Sequence, residues 1–198
     1  VSSIEDYEND IVKKHEFTRP EKEQDRINHI RTTGAQTGNV FLAYRNNNQV
    51  DALIENWKTV KSPVYNFTAE DEISHTIWIV NDDETIAKIT ELFNTEIPCT
   101  YIADGHHRAA SAAKVRNTLG ENATVESNYF LTTLFPSNQL YIMDYNRVVK
   151  DLNGLTAEEF LAKLNINFNV TLVGNQAVQP KELHSFGMYL NGNWYKLI

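Results

Sequence analysis

The 198-residue sequence predicts a mixed β-sheet with flanking helices, in the α+β or α/β class. Short apolar runs typical of strands are interleaved with longer segments that carry helix start and stop signals. Between residues 75 and 118 these segments follow the order strand, helix, strand, helix, which is the pattern of an α/β unit.

The first part of the chain contributes helices and one strand. Residues 4–15 are very charged and are predicted to form a surface helix. Pro20 suits the first position of a second helix, and Gly34 is a typical residue after a helix end. VFLAYR at 40–45 is a predicted strand, and residues 50–57 are a predicted helix.

The middle of the chain supplies the predicted α/β unit. HTIWIV at 75–80 and CTYIA at 99–103 have the composition of strands. The polar residues 81–83 offer capping side chains for a helix over 84–93. A second helix, rich in alanine, is predicted for residues 106–118.

A hairpin and a break in the chain follow. Residues 128–135 and 140–149 read as two strands, with Pro136 in the turn between them. The Asn-Gly pair at 153–154 interrupts the pattern. We therefore predict that residues 1–155 form an α/β core with N-terminal helices.

Residues 156–198 read as a smaller C-terminal part, possessing one helix and β-strands. Thr156 and Glu159 match a capping box at the start of that helix. Apolar runs at 168–173 and 185–198 are predicted strands, and the second run folds back at an Asn-Gly turn. This part is expected to belong to a second subdomain.

The bulk composition limits the kinds of partner. The formal net charge is −8, which argues against nucleic acid and anionic membrane as general partners. Apolar runs fall well short of the about 18 residues of a transmembrane helix. We expect a cytoplasmic protein that acts on a small molecule, and the sequence does not indicate an oligomeric state.

The segment DGHHR at 104–108 lies at the predicted corner between a strand and a helix. Gly105 permits a turn and close approach of the backbone. Arg108 is a bidentate donor suited to phosphate or carboxylate, and the first amides of the helix are unpaired. These features predict an anion site.

Two alternatives remain open for the same corner. In the first, Asp104 caps the helix and the histidines are merely polar. In the second, His106 and His107 bind a metal together with His75, His15 or an acidic residue. Neighbouring side chains on a helix point about 100° apart, so adjacent histidines are less suited to one metal than an i, i+4 pair.

Three further segments carry residues of chemical interest. Residues 13–26 are dense in charge, although a charge run is usually a solvated face. The Gly- and Thr-rich stretch at 31–38 resembles a phosphate-facing loop but lacks the ending of a P-loop. Arg147 is interpreted either as a second anion contact or as a charge that protects an edge strand.

Four segments together resemble one known family. They are KKHEFTRPEKEQDR, TGAQTGNVFLAYR, HTIWIV with YIADGHHRAASA, and LFPSNQLYIMDYNRVVKDLNG, which span most of residues 13–155. In these segments the chain resembles domain of unknown function family 1015. Members are about twice this length, so the resemblance implies a truncated portion of a longer member. Members often have Tyr after DGHHR, where this chain has Ala109.

Through the same corner the family resembles the ParB/sulfiredoxin-type fold, in which such a turn at a helix start binds nucleotide phosphates. That group includes ADP-dependent kinases of free serine, whose D-G-H-x-R motif is matched by Asp104, Gly105, His106 and Arg108. The resemblance implies a ParB/sulfiredoxin-like strand–turn–helix here. It is not extended to DNA binding, because no helix-turn-helix with basic flanks is evident.

The resemblance implies an enzyme that transfers a phosphoryl group to or from a small metabolite such as serine, using ATP or ADP and Mg²⁺. The alternatives are a non-catalytic module that senses a nucleotide or anion, and a metal-dependent hydrolase using His106, His107 and His75. Arg19, Arg26 and His75 are weaker candidate contacts. The candidate catalytic residues are Asp104, Glu16 and His106, and the candidate binding residues are Gly105, His106, His107, Arg108 and Arg147.

Overall fold

The computed structural model describes residues 1–198 and contains eleven strands and six α-helices. The strands are β1 Ser2–Ser3, β2 Val12–Lys13, β3 Val40–Tyr44, β4 Tyr65–Thr68, β5 Ser74–Ile77, β6 Thr100–Asp104, β7 Tyr129–Phe130, β8 Thr132–Pro136, β9 Val170–Gly174, β10 Phe186–Leu190 and β11 Asn193–Leu197. The helices are α1 Ile4–Glu8, α2 Pro20–Thr33, α3 Asn48–Val60, α4 Asp83–Thr95, α5 His106–Leu119 and α6 Ala157–Leu164.

The central sheet has four strands in the order β2-β6-β3-β8. β2 runs parallel to β6, β6 antiparallel to β3, and β3 parallel to β8. In the middle of the sheet Leu42 lies opposite Ile102 on one side and Leu134 on the other. This mixed sheet with flanking helices confirms the predicted fold class.

The core lies where α5 packs against this sheet. The alanines of α5 are almost fully buried, which allows the helix backbone to approach the sheet closely. The main apolar cluster consists of Ile4, Val12, Val40, Leu42, Ile102, Ala109, Ala112, Ala113 and Phe130.

The predicted helix ends are confirmed where local chemistry sets them. Pro20 occupies the first turn of α2, and Gly34 ends that helix with φ 67°. Asp82 caps α4 by accepting a hydrogen bond from the Thr85 amide at 2.8 Å. Thr156 forms the predicted capping box at the start of α6.

The predicted helix over residues 4–15 is wrong beyond its first turns. α1 ends at Glu8, and Asp10 then has φ 58°, which turns the chain out of the helix. Val12 and Lys13 pair with β6 as an edge strand of the central sheet. The pairing with a distant strand outweighs the local helix propensity of this charged segment.

The predicted α/β unit does not form around residues 75–80. β5 ends at Ile77 and pairs antiparallel with β4 in a separate two-stranded sheet. It is therefore not a neighbour of β6. β4 is not among the strands predicted from the sequence, although its residues, Tyr-Asn-Phe-Thr, alternate aromatic and polar; all four are exposed in the structure.

The predicted hairpin of residues 128–149 is wrong in its second strand. Residues 140–149 form no regular structure, although most of their side chains are apolar; residues 141–149 are exposed, with Val148 97% exposed. The first half is divided into two strands that pair elsewhere. β7 pairs with β1, and β8 pairs with β3.

The contacts divide the chain into two compact units, Val1–Tyr141 and Ile142–Ile198. The boundary predicted from the sequence lies later, after residue 155. The second unit contains α6 and a three-stranded sheet in the order β10-β11-β9. The Asn-Gly hairpin turn is confirmed, since Asn191 has φ 47° and Gly192 has φ 82° between β10 and β11.

None of the helices combines the length and the apolar composition that crossing a membrane requires.

Candidate functional site

The DGHHR segment forms a sharp corner between β6 and α5. Asp104 is the last residue of β6, and Gly105 precedes the helix with φ 99°, a conformation that L side chains rarely adopt. No side chain caps α5. The Asp104 carboxylate instead accepts a hydrogen bond from Arg108 Nη2 at 2.6 Å, so the expectation that Asp104 caps the helix is wrong. The start of α5 is left free to attract an anion.

His106 is buried and holds the chain segment that precedes α2. Its Nε2 accepts a hydrogen bond from the His15 amide at 3.4 Å. A neutral imidazole that accepts at Nε2 carries its proton on Nδ1, which lies 3.6 Å from Glu16 Oε2. Burial and the neighbouring His15 lower the pKa of His106, and Glu16 offsets part of this change. His106 is therefore neutral near pH 7, with its proton facing Glu16.

His107 holds the same segment at a second point. Its Nε2 accepts a hydrogen bond from the Arg19 amide at 3.0 Å. Each of the two adjacent histidines thus uses its Nε2 to fix the main chain of residues 15–19. Arg19, a weaker candidate contact, thus meets this corner through its backbone.

The three-histidine arrangement required by the metal-dependent hydrolase is not formed. The Nε2 atoms of His106 and His107 already accept main-chain hydrogen bonds. His75 lies on β5, where it stacks on Phe67 with ring centroids 5.2 Å apart. No group of three His, Cys, Asp or Glu side chains is arranged to hold a metal ion.

Arg108 is positioned by two glycines and one carboxylate. A Cβ on Gly38 would lie 2.8 Å from Arg108 Cδ, and a Cβ on Gly105 would lie 2.9 Å from its Nη2. Both distances are shorter than real Cβ contacts, so the Arg108 side chain fills the space that a side chain at position 38 or 105 would need. Its Nε is buried and has no hydrogen-bond partner. The side chain remains 37% exposed and can offer the guanidinium to a ligand.

A cleft of about 480 Å³ opens in front of this corner, between α5 and the first half of α2. The structure brings seven predicted or weaker candidate residues to the cleft, together with three further residues of α2. The lining residues are Glu16, Glu21, Lys22, Asp25, Arg26, Asp104, Gly105, His106, His107 and Arg108.

The α2 residues Glu21, Lys22 and Asp25 were not assigned to the site from the sequence. They lie in the charge run of residues 13–26, which was interpreted as a solvated face. The signal that could have found them is Pro20, which starts α2 directly after the segment that carries Glu16. The first turns of α2 then follow Glu16 into the same cleft.

α2 is fixed against α5 by a buried charge. Glu23 is only 5% exposed, and its carboxylate accepts hydrogen bonds from Lys114 and Thr18. Burial alone would raise the pKa of Glu23, but the hydrogen bonds from Lys114 and Thr18 outweigh it and lower that pKa. Ser111 on α5 also donates to the Glu23 carbonyl at 3.2 Å. These contacts hold the two walls of the cleft together.

A smaller cavity of about 150 Å³ adjoins the cleft and shares Arg26 and Arg108 with it. Gln36, Thr37 and Gly38 line this cavity. The stretch at 31–38 that resembles a phosphate-facing loop therefore ends beside Arg108.

Arg147 belongs to the other compact unit, Ile142–Ile198. Its guanidinium lies 4.1 Å from the centroid of the Tyr145 ring. This cation–π contact is the environment that the structure gives to Arg147. Its assignment to the anion site stays a prediction.

The comparisons with known proteins identify one family. Neither the curated proteins nor the solved structures contain a match to this sequence. The match to a family covers residues 1–198, which is the whole of the described chain. The chain therefore belongs to the family described as "Protein of unknown function (DUF1015)".

Proposed function

We propose that this protein binds a nucleotide or phosphate ester in the cleft at the start of α5 and transfers a phosphoryl group to or from a small metabolite such as serine. The observation that carries the proposal is the convergence of an uncapped helix start, Arg108, Arg26 and Lys22 in one cleft. Such groups neutralise phosphate charge, which is the main requirement of phosphoryl transfer. The ParB/sulfiredoxin-like motif noted in the sequence agrees with this assignment.

The residues of the corner would then have different tasks. Arg108 and the amides of α5 bind phosphate oxygens, and His107 offers Nδ1 because its Nε2 is engaged. Asp104 is bonded to Arg108 at 2.6 Å and acts as a positioning residue for it. Because the Asp104 carboxylate is engaged by Arg108, the role of general base falls to Glu16, whose side chain is 61% exposed.

In the forward direction, the hydroxyl oxygen of the metabolite attacks the terminal phosphorus of ATP or ADP. The bond from that phosphorus to the bridging oxygen breaks, and the nucleotide leaves with one phosphate fewer. The hydroxyl proton passes to Glu16. His106, neutral and with its Nδ1 proton facing Glu16, orients this carboxylate.

The carboxylates of the cleft suit Mg²⁺ that arrives with a nucleotide. Mg²⁺ usually takes one or two protein carboxylates and completes its shell with phosphate oxygens and water. Asp104 is the residue that would contact it, and its chemistry would be to neutralise charge on the phosphates.

The test is ³¹P NMR of the full-length protein with Mg²⁺, serine and either ATP or ADP, followed by the reverse reaction with phosphoserine. New phosphoserine and shortened nucleotide signals support the proposal. Spectra that stay identical with and without protein for both nucleotides and in both directions would overturn it as an enzyme.

Two variants separate catalysis from binding. Glu16→Gln removes the proton acceptor and is expected to abolish turnover while nucleotide binding persists. Arg108→Gln is expected to abolish binding itself. Arg45→Gln, an exposed arginine at the end of β3, is the matched control and is expected to change neither. Calorimetric binding that Arg108→Gln abolishes, with no turnover of any substrate, would favour the non-catalytic sensing module.

A further inference from the structure

A second cavity lies at the far ends of α2 and α5 from the DGHHR corner. Its volume is about 460 Å³, within the roughly 300–1,000 Å³ that small-molecule sites occupy. α2 contributes its last turn and the loop that follows, and α5 contributes the face that carries Ala112 and Val115. The short 3-10 turns after α5 close the remaining side.

The walls of this cavity are largely apolar. Ile30 lies on the α2 side, Val115 and Leu119 lie on the α5 side, and Leu131 lies between β7 and β8. Leu131 is 47% exposed, so a ligand in the cavity would cover apolar surface that now faces water. Burial of such surface is favourable by about 25 cal/mol per Å².

Two arginines stand at the edge of these walls. Arg31 donates one hydrogen bond, to Thr118 Oγ1 at 3.1 Å, and Arg116 donates one, to Asn128 Oδ1 at 2.9 Å. Neither arginine has a carboxylate within 4.0 Å, in a chain whose formal net charge is −8. Because a guanidinium has five donors, most of the donors of each arginine are free.

The charge inside the cavity is therefore positive on balance. Glu126 is the single acidic residue in its lining, against Arg31 and Arg116. A ligand that fits must combine an apolar body with one negative group that accepts hydrogen bonds from guanidinium.

We propose that this cavity is a binding site for a small organic acid, with an aliphatic or aromatic body against Ile30, Val115, Leu119 and Leu131 and a carboxylate between Arg31 and Arg116. The site is separate from the phosphate cleft. None of the residues lining that cleft lines this cavity. The small cavity that contains Gln36 shares Arg26 and Arg108 with the cleft, and Ile30 and Gln36 with this cavity. The proposal does not depend on phosphoryl transfer.

The test uses hexanoate, hexanol and acetate as probes in ¹H–¹⁵N NMR titrations of the full chain. Hexanoate is expected to shift the amide signals of the cavity, including those of Val115 and Leu119. Hexanol lacks the charge and acetate lacks the body, so each is expected to bind at least about tenfold more weakly, as loss of a charged hydrogen bond or of several buried methylenes implies.

The variants Arg31→Gln and Arg116→Gln are each expected to weaken hexanoate binding about tenfold. Arg45→Gln, which follows β3 and does not line the cavity, is expected to leave hexanoate binding unchanged. The amide spectra of the variants also establish that they are folded. Equal shifts from hexanol and hexanoate, or undiminished hexanoate binding in the doubly substituted protein, would overturn the proposal. So would hexanoate shifts confined to residues of the phosphate cleft.

Discussion

Replacing Gly38 with alanine tests whether the position of Arg108 controls binding in the phosphate cleft. The added Cβ would lie 2.8 Å from Arg108 Cδ, whereas ordinary contact begins at 3.4 Å. Gly38 does not have a positive φ, so its backbone accepts alanine and the arginine side chain must move instead. The displaced guanidinium would no longer keep its 2.6 Å bond to Asp104.

The expected loss follows from the charged hydrogen bond that the displaced guanidinium would no longer make to a phosphate. Such a bond contributes about 1.5–3 kcal/mol, which corresponds to a factor of roughly 10 to 100 in affinity. We therefore expect Gly38→Ala to weaken ADP binding by about 10- to 100-fold. The free energy of unfolding should change by less than about 1 kcal/mol, because alanine also reduces the entropy of the unfolded chain.

The assay is calorimetric titration of ADP and ATP, paired with urea denaturation. Gly34→Ala is the matched control, since Gly34 has φ 67° and nothing within 4 Å of an added Cβ. It should lower the free energy of unfolding by about 1–2 kcal/mol and leave ADP binding unchanged. Wild-type affinity in Gly38→Ala, with loss of binding in Arg108→Gln, would refute the positional argument.

Three further changes test other parts of the structure. Burial lowers the pKa of His106 in the folded protein, so as the pH falls below about 6.5 the unfolded chain binds this proton first and the free energy of unfolding decreases. In urea denaturation, the free energy of unfolding should fall less between pH 7.5 and pH 5.5 for His106→Gln than for the wild type. Lys114→Met leaves the buried Glu23 without its cation and should cost about 1–2 kcal/mol in the same assay, a modest value because Lys114 is 57% exposed. Adding Glu23→Gln should recover part of this loss, and no recovery would contradict the assigned pair. Thr156→Ala removes the capping box of α6 and should cost about 1 kcal/mol, measured by thermal denaturation.

Local signals predicted the helix ends, whereas strand pairing was not predictable from them. Pro20, Gly34 and Thr156 act on their own neighbours through fixed φ, positive φ or a side-chain hydrogen bond, so the sequence contains the whole cause. Val12 becomes a strand residue because β6, far along the chain, offers it a partner. Residues 140–149 have the composition of a strand but pair with no other strand.

The candidate site was predicted on one side only. Gly105 and Arg108 act at a corner whose chemistry is contained in five consecutive residues. The opposite wall depends on how α2 packs against α5, and that packing rests on Glu23, a buried residue inside what reads as a solvated charge run. The hydrogen bonds that His106 and His107 accept from distant main-chain amides leave no pattern in the sequence at all.

The pairing of the N-terminal strands has a consequence for how the protein is made. β1 can form only after its partner β7 has been synthesised, and β2 can form only after its partner β6 has been synthesised. At about 5–20 residues per second, ribosomal synthesis of the intervening chain takes on the order of 5–20 s. Throughout that interval Glu16 has no α5 to pack against. The wall of the cleft that is translated first is thus completed late, and the nascent N-terminal segment stays open to chaperones and proteases until β6 and α5 emerge.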